Sequence, residues 1–288
     1  MFSQSSKALG ATVTMTVLHA DESAANAALD AAFSELERIE SVMSLYRPES
    51  QISRLNREGV LETPDASLVE VLRFAAEVAE KSGGAFDVTV QPLWELKGVK
   101  PDAAMLALVD WRKVEVEETA IKLGSGMAIT LNGIAQGFAA DAAMRVMRAH
   151  GVEHALIDAG EFSARGNNAK NAPWRIGIQH PRERDAFAAL AQLENRCLAT
   201  SGDYETAFSD DFSRHHIFDP HTGESPGELA SVSVLAPSAM AADALSTALF
   251  VLGAKRGNDF LRDYPGTDAL LILKDGHRVA TPGFPFAA

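Results

Sequence analysis

Ile129-Thr130-Leu131-Asn132-Gly133-Ile134-Ala135-Gln136-Gly137-Phe138-Ala139-Ala140-Asp141 reads as an apolar strand that breaks at Asn132-Gly133 and opens into a helix of small residues. Glycine at such a junction lets backbone amides and carbonyls approach a ligand, and a helix start favours anionic groups. A tight strand-to-helix turn with no ligand is the alternative. Outward from this stretch the chain keeps mixing the two periodicities. Ala11 to His19 alternates like a strand, while Glu22 to Met43 and Ser67 to Lys81 carry helical spacing. Lys113 to Glu118 and Ala120 to Leu123 predict a hairpin that leads into a strand at Ala128 to Leu131. The helix then runs from Gly133 to about His150, followed by strands at His154 to Asp158 and Trp174 to Gln179. Gly166 to Pro173 and Ser209 to Ser213 read as surface loops, not as domain boundaries.

A second stretch carries chemistry. Pro237-Ser238 predicts a helix start with Ser238 as N-cap, and Ala244, Leu245, Ala248, Leu249, Val251 and Leu252 follow at helical spacing. Asp243 and Thr247 therefore share one face, one turn apart. A carboxylate below a hydroxyl offers two hard oxygens suited to Mg²⁺ on a phosphate ligand. The pair also fits an exposed first-turn carboxylate and a small packing residue. Just upstream, His216-Ile217-Phe218-Asp219-Pro220-His221-Thr222-Gly223 sets a histidine beside a turn. After apolar Cys197-Leu198, Ala199 to Glu205 reads as a strand entering a sharp turn with hydroxyls and Asp203 at its tip. Neither GxGxxG nor GxxxxGK[ST] occurs, so neither standard nucleotide motif is present.

Composition sets bounds. The 288 residues, 47% of them hydrophobic, suffice for a large core in one big domain or two intimately packed lobes. A formal charge of −13 disfavours nucleic-acid and anionic-membrane partners. Cys197 is the sole cysteine, so no intrachain disulfide forms, and its apolar flank predicts a buried, inert thiol. No stretch reaches membrane-spanning length, and Met1 to Gly10 lacks a signal-peptide apolar core.

Six segments in order bring a resemblance. They are Met43-Ser44-Leu45-Tyr46 with Ser50 to Asn56, Gly83 to Thr89, Leu131 to Asp141, Thr200 to Tyr204, His216 to Gly223 and Ala242 to Ala248. Together they resemble the ApbE family of FAD:protein FMN transferases over nearly the whole chain. The resemblance implies an α+β fold: a single large domain over residues 1–288, with a mixed, mostly antiparallel sheet and flanking helices. It implies Mg²⁺ held by Asp243, Thr247 and the backbone carbonyl of Ala135, with FAD as substrate. His216 is expected to contact the diphosphate or take a proton. Met43, Tyr46 and Asn56 are expected at the flavin, with core packing the alternative for the first two. Asp87 is expected in the cleft wall, as ligand or structural acceptor, Gln136 at the diphosphate, and Asp203 at the adenosine or the acceptor. The partner implied is a flavoprotein subunit of a redox complex.

Two departures from the family pattern bear on rate more than on fold. Gln136 stands where many relatives have lysine, and Ala159 precedes Gly160-Glu161 where relatives often have two glycines. The activity expected is Mg²⁺-dependent transfer of FMN from FAD to a threonine hydroxyl, with release of AMP. FAD pyrophosphatase activity and FAD carriage without chemistry are the alternatives. Family members are often exported to the periplasm, and the sequence reads either as a mature or trimmed form or as a cytoplasmic variant.

Overall fold

In the computed structural model, which describes residues 1–287, the spacing of Glu22 to Met43 is realised over its full length. Helix α1 (Glu22–Met43) begins where the Asp21 carboxylate accepts the Ser23 and Ala24 amides, and it buries one stripe running from Ala25 to Met43. The other helices are α2 (Gln51–Glu58), α3 (Ala66–Lys81), the short α4 (Gln91–Glu95) and α5 (Ala103–Leu106), α6 (Ala135–Ala149) and α7 (Ala239–Phe260). The strands begin with β1 (Phe2–Ala8), β2 (Ala11–Leu18), β3 (Val60–Glu62), β4 (Glu115–Val116), β5 (Ala120–Lys122) and β6 (His154–Asp158). They continue with β7 (Phe162–Arg165), β8 (Trp174–Gln179), β9 (Phe187–Leu193), β10 (Cys197–Gly202), β11 (Leu229–Ala236), β12 (Asp268–Leu273) and β13 (Arg278–Ala280).

Eight strands form the main sheet in the order β1-β2-β6-β7-β10-β11-β12-β13, with smaller sheets β3-β5-β4 and β8-β9. Every ladder among the described residues is antiparallel. Both faces of the sheet are covered. Cys197, Ala199, Val232, Val234 and Leu271 belong to the larger core, whereas Leu198, Leu235 and Leu270 pack with Trp174, Ile176 and Ile178 of the β8-β9 hairpin. Because side chains alternate along a strand, these sets mark opposite faces. Coverage on both sides explains why all eight residues of β11 are buried. On the larger-core face the helices stack in series: α7 lies on β10 and β11, α6 on α7, and α1 on α6.

Local differences from the sequence reading have identifiable causes. The strand expected at Ala128 to Leu131 pairs with no other strand. Instead, the Asn56 side chain takes the place of one, donating to the Ile129 carbonyl and accepting its amide, both at 2.8 Å, while the Thr130 amide reaches the Val88 carbonyl at 2.7 Å. Helix α6 starts at Ala135, because Asn132 to Ile134 form a turn in which the Ile134 and Ala135 amides both return to Leu131. The unforeseen β1 is a Ser-rich edge strand whose Ser3 and Ser5 hydroxyls pair with Thr16 and Thr14. Only Gly160 in the β6-β7 turn needs the left-handed conformation (φ 89°), so Ala159 fits without strain. Helix α7 breaks at Gly253 (φ 74°), where Glu228 accepts the Ala254 amide.

Candidate active site

The crossing of α6 and α7 builds the site. Gly137, in the first turn of α6, lies so close to α7 that an added Cβ would run into the Ala239 carbonyl and sit 2.8 Å from the Asp243 Cβ. This approach lets the Gly137 amide donate to Asp243 Oδ2 at 3.1 Å. One turn further along α6, the Asp141 carboxylate accepts the Ala239 and Met240 amides at 2.8 and 2.9 Å, anchoring the start of α7 from outside the helix. Asp141 thus fixes the position of Asp243, a role its sequence context did not reveal. The first-turn alternative for Asp243 does not apply, since its side chain is buried on the fifth residue of α7.

A cavity of about 380 Å³ opens over this crossing, a volume suited to a small-molecule ligand. Asp243 and Thr247 of α7 line it, with Gly133 and Gln136 of the α6 start, Ser201 of β10, Glu161, and His216. Burial pushes the Asp243 carboxyl up to about 7, against the lowering effect of the Gly137 amide and with a raising contribution from Asp141. Glu161 is held well above the usual carboxylate range by burial and then by Asp243, Glu205 and Asp158. Asp87 and Glu205 complete an acidic set, and among the described residues the lining contains no lysine or arginine.

The hydroxyl protons can be assigned from the bonding. Ser246 donates to the Asp243 carbonyl at 2.9 Å, so across the 2.8 Å contact Ser201 must donate to Ser246. Ser201 then has only lone pairs for Thr247, which donates to it at 3.2 Å. The Thr247 oxygen is left with its own lone pairs toward the cleft, as a cation ligand requires. His216 is ordered similarly. Its Nδ1 lies 3.3 Å from the Thr206 carbonyl and therefore carries the proton, leaving Nε2 as the acceptor, and burial lowers its pKa so that the ring is neutral near pH 7.

The structure separates the other expected ligands. Gln136 lines the cleft and reaches the Ala159 carbonyl at 3.4 Å. Asp87 lines the wall, but its oxygens accept the Thr89 amide and hydroxyl and the Trp111 amide, the structural-acceptor alternative. Ala135 sits between lining residues without lining the cleft itself. Four more of the expected residues lie outside the cleft lining, Met43 taking the core-packing alternative. Asn56 spends its amide on Ile129, and Met43 is buried in the core beneath α1. Tyr46 is 81% exposed and lies outside the lining. Asp203 is fully buried in a two-pronged ion pair with Arg182 at 2.7 and 2.8 Å, with Lys274 at 3.6 Å, and does not face the cleft. The aromatic lining consists of Phe86, Trp94 and Phe218, the first and last from the segments Gly83 to Thr89 and His216 to Gly223.

Comparison with known proteins gives the chain its relatives. The sequence model of the ApbE family matches residues 9–271. The FAD:protein FMN transferase of Treponema pallidum is 35% identical over 90% of this chain and 80% of its own length. That of Haemophilus influenzae is 32% identical over 88% and 81%. Among solved structures, the ApbE protein of Thermotoga maritima superposes with a TM-score of 0.87 at 29% identity, covering 98% of this chain and 97% of that one. The apo flavinyl transferase ApbE of Pseudomonas stutzeri gives 0.84 at 28%, covering 97% and 93%.

Proposed function

Since the chain belongs to the ApbE family, we propose that it is a flavinyl transferase that moves the FMN half of FAD onto a threonine hydroxyl of a partner flavoprotein and releases AMP. The observation that carries this reading is the carboxyl lining of the cleft. Asp87, Glu161, Glu205 and Asp243 line it with no lysine or arginine among the described residues, and since burial favours the protonated forms of Asp243 and Glu161, a bound cation is the counter-charge that would ionise Asp243 beside a pyrophosphate. Asp243 and the free lone pairs of Thr247 are hard oxygen donors for Mg²⁺, with the Ala135 carbonyl as the third ligand implied by the family resemblance. When bound, Mg²⁺ supplies Lewis-acid polarisation of the pyrophosphate and charge stabilisation for the departing phosphate.

The residues of the chain perform the remaining work. His216 Nε2 takes the proton of the acceptor hydroxyl. The hydroxyl oxygen forms a new bond to the FMN phosphorus while the bond from that phosphorus to the bridging oxygen breaks, and AMP leaves with the electron pair. Gln136 donates an amide to the diphosphate where a lysine would bring charge. FAD carriage without chemistry is the second reading, favoured by the uncharged Gln136 in the lining.

Incubation with FAD, Mg²⁺ and an acceptor domain, followed by mass spectrometry, tests the proposal. An FMN-sized mass gain on the acceptor is expected. Free FMN and AMP without that gain would indicate hydrolysis, and retained intact FAD would indicate carriage. Asp243→Asn should lower transfer by about a hundredfold or more while the far-UV circular dichroism is unchanged. Thr247→Val should cost less.

A further inference from the structure

Glu205 and His216, which both line the cleft, stand at the two ends of one hairpin. Over residues 206–216 the chain folds back on itself: the Phe208 amide donates to the Arg214 carbonyl at 2.7 Å, Ala207 pairs with His215, and the His216 amide donates to the Thr206 carbonyl at 3.0 Å. The same carbonyl accepts from His216 Nδ1 at 3.3 Å, so the backbone of the hairpin sets the tautomer and direction of the ring. At the far end Asp211 closes the turn by accepting the Ser209 and Ser213 hydroxyls, both at 2.7 Å.

Two cations hold that tip from outside. Arg182, in the β8-β9 turn, sets its guanidinium carbon 4.3 Å from the centre of the Phe212 ring, and Lys274, just after β12, donates to the Phe212 carbonyl at 2.6 Å. Both are rooted in the fully buried Asp203, just past β10, through the two-pronged pair with Arg182 and the 3.6 Å contact with Lys274. A guanidinium gripped by both carboxylate oxygens cannot swing away, so the plane it offers to the ring is fixed. Phe212 meets it from a left-handed backbone (φ 57°), a conformation that glycine or asparagine adopts far more readily than a bulky aromatic residue. The ring contact offsets that strain.

We propose that Arg182, Phe212 and Asp203 are positioning residues for His216. The clamp holds the tip, the hairpin ladder holds Thr206, and the Thr206 carbonyl holds His216 Nδ1, which leaves Nε2 for the acceptor hydroxyl. A bond already 3.3 Å long is lost when its acceptor shifts by a few tenths of an ångström, so a loosened tip is felt at the ring. The inference rests on the transferase reading and on His216 as its base.

Steady-state flavinylation of an acceptor domain tests it. Phe212→Gly removes the ring while relieving the left-handed backbone, and kcat should fall about fivefold with the KM for FAD within about twofold. Phe212→Leu, which keeps apolar bulk and a stiff backbone, should show the same loss, and Phe212→Tyr, which keeps the ring, should stay within about twofold of wild type. The decisive arm places Phe212→Gly in a His216→Ala background. Because the clamp acts through that imidazole, the residual kcat should there change by less than about 1.5-fold. A kcat unchanged in either the glycine or the leucine variant, or a fivefold loss that persists without His216, would overturn the positioning role. A His216→Ala protein as fast as wild type would instead overturn His216 as base, and wild-type protein that modifies no acceptor would overturn the transferase reading.

Discussion

Gln136 donates its side-chain amide to the Ala159 carbonyl across the cleft rim, and 3.4 Å is a weak bond to give up. A lysine at this position can turn toward the diphosphate. Its attraction to one phosphate charge is about 4 kcal/mol at 4 Å and an effective dielectric near 20, much of it offset by desolvation. Gln136→Lys should therefore raise FAD affinity about tenfold, and more at low salt. Calorimetric titration at two ionic strengths checks this; equal affinity of the two proteins at both would remove Gln136 from the phosphates. At this scale the sequence reading put Asp243 and Thr247 on one face of one helix, because their spacing is set by that helix alone, and both line the cleft. It did less well where a distant partner decides. Asn56 reads as a polar ligand until Ile129, 73 residues away, takes both ends of its amide. Asp203 reads as a turn-tip carboxylate until Arg182 and Lys274 enclose it.

Among elements, the α6-α7 crossing is the most exacting. Gly137→Ala places a methyl against the Ala239 carbonyl and the Asp243 Cβ, so the helices must move apart and the Gly137 amide must leave Asp243. Overpacking of this kind costs about 1 to 3 kcal/mol. Urea unfolding should show that loss, and transfer should fall together with stability. Elements with a strong period and a cap were legible: α1 from Asp21 onward, α7 from Ser238, and β6 and β8 to the residue. Ala128 to Leu131 has the apolar composition of a strand but gains its hydrogen bonds from a side chain and from Val88, which periodicity does not reveal. The edge strand β1 was hidden by its serines, since an edge with one wet face needs little apolar content.

For the molecule as a whole, acid stability is a contest between buried groups. His215 is fully buried; Nδ1 faces the Ile217 amide at 3.4 Å, Nε2 faces the Pro226 carbonyl at 3.2 Å, and Lys274 lies nearby. Nδ1 therefore accepts and has no room for a second proton, and burial lowers the pKa from 6.5 to about 4. Between those values the unfolded chain binds more protons, so the contribution of His215 is complete above pH 6.5 and is lost as pH falls toward 4. The loss amounts to about 3 kcal/mol. Asp87, Asp141 and Asp158, raised by burial, act in the opposite sense, because protonation favours their folded environment. The clean measurement is a difference: wild type minus His215→Gln, from denaturant unfolding at pH 7, 5.5 and 4.5. The wild type should lose its advantage on acidification. A constant difference would show that His215 does not set the slope.

On the reading proposed above, a cleft whose described lining holds carboxyl groups and no lysine or arginine also dictates a sequence of events in time. An uncomplexed dinucleotide approaching it meets repulsion from a protein of net charge −13. Productive encounter should therefore involve either a protein already loaded with the divalent ion or the dinucleotide arriving as its magnesium salt. In stopped-flow flavin fluorescence, chelator should slow association by about tenfold or more while changing dissociation less. Adding magnesium before, with or after the flavin should give three different lag times, so the order of mixing becomes a readout of how this site fills.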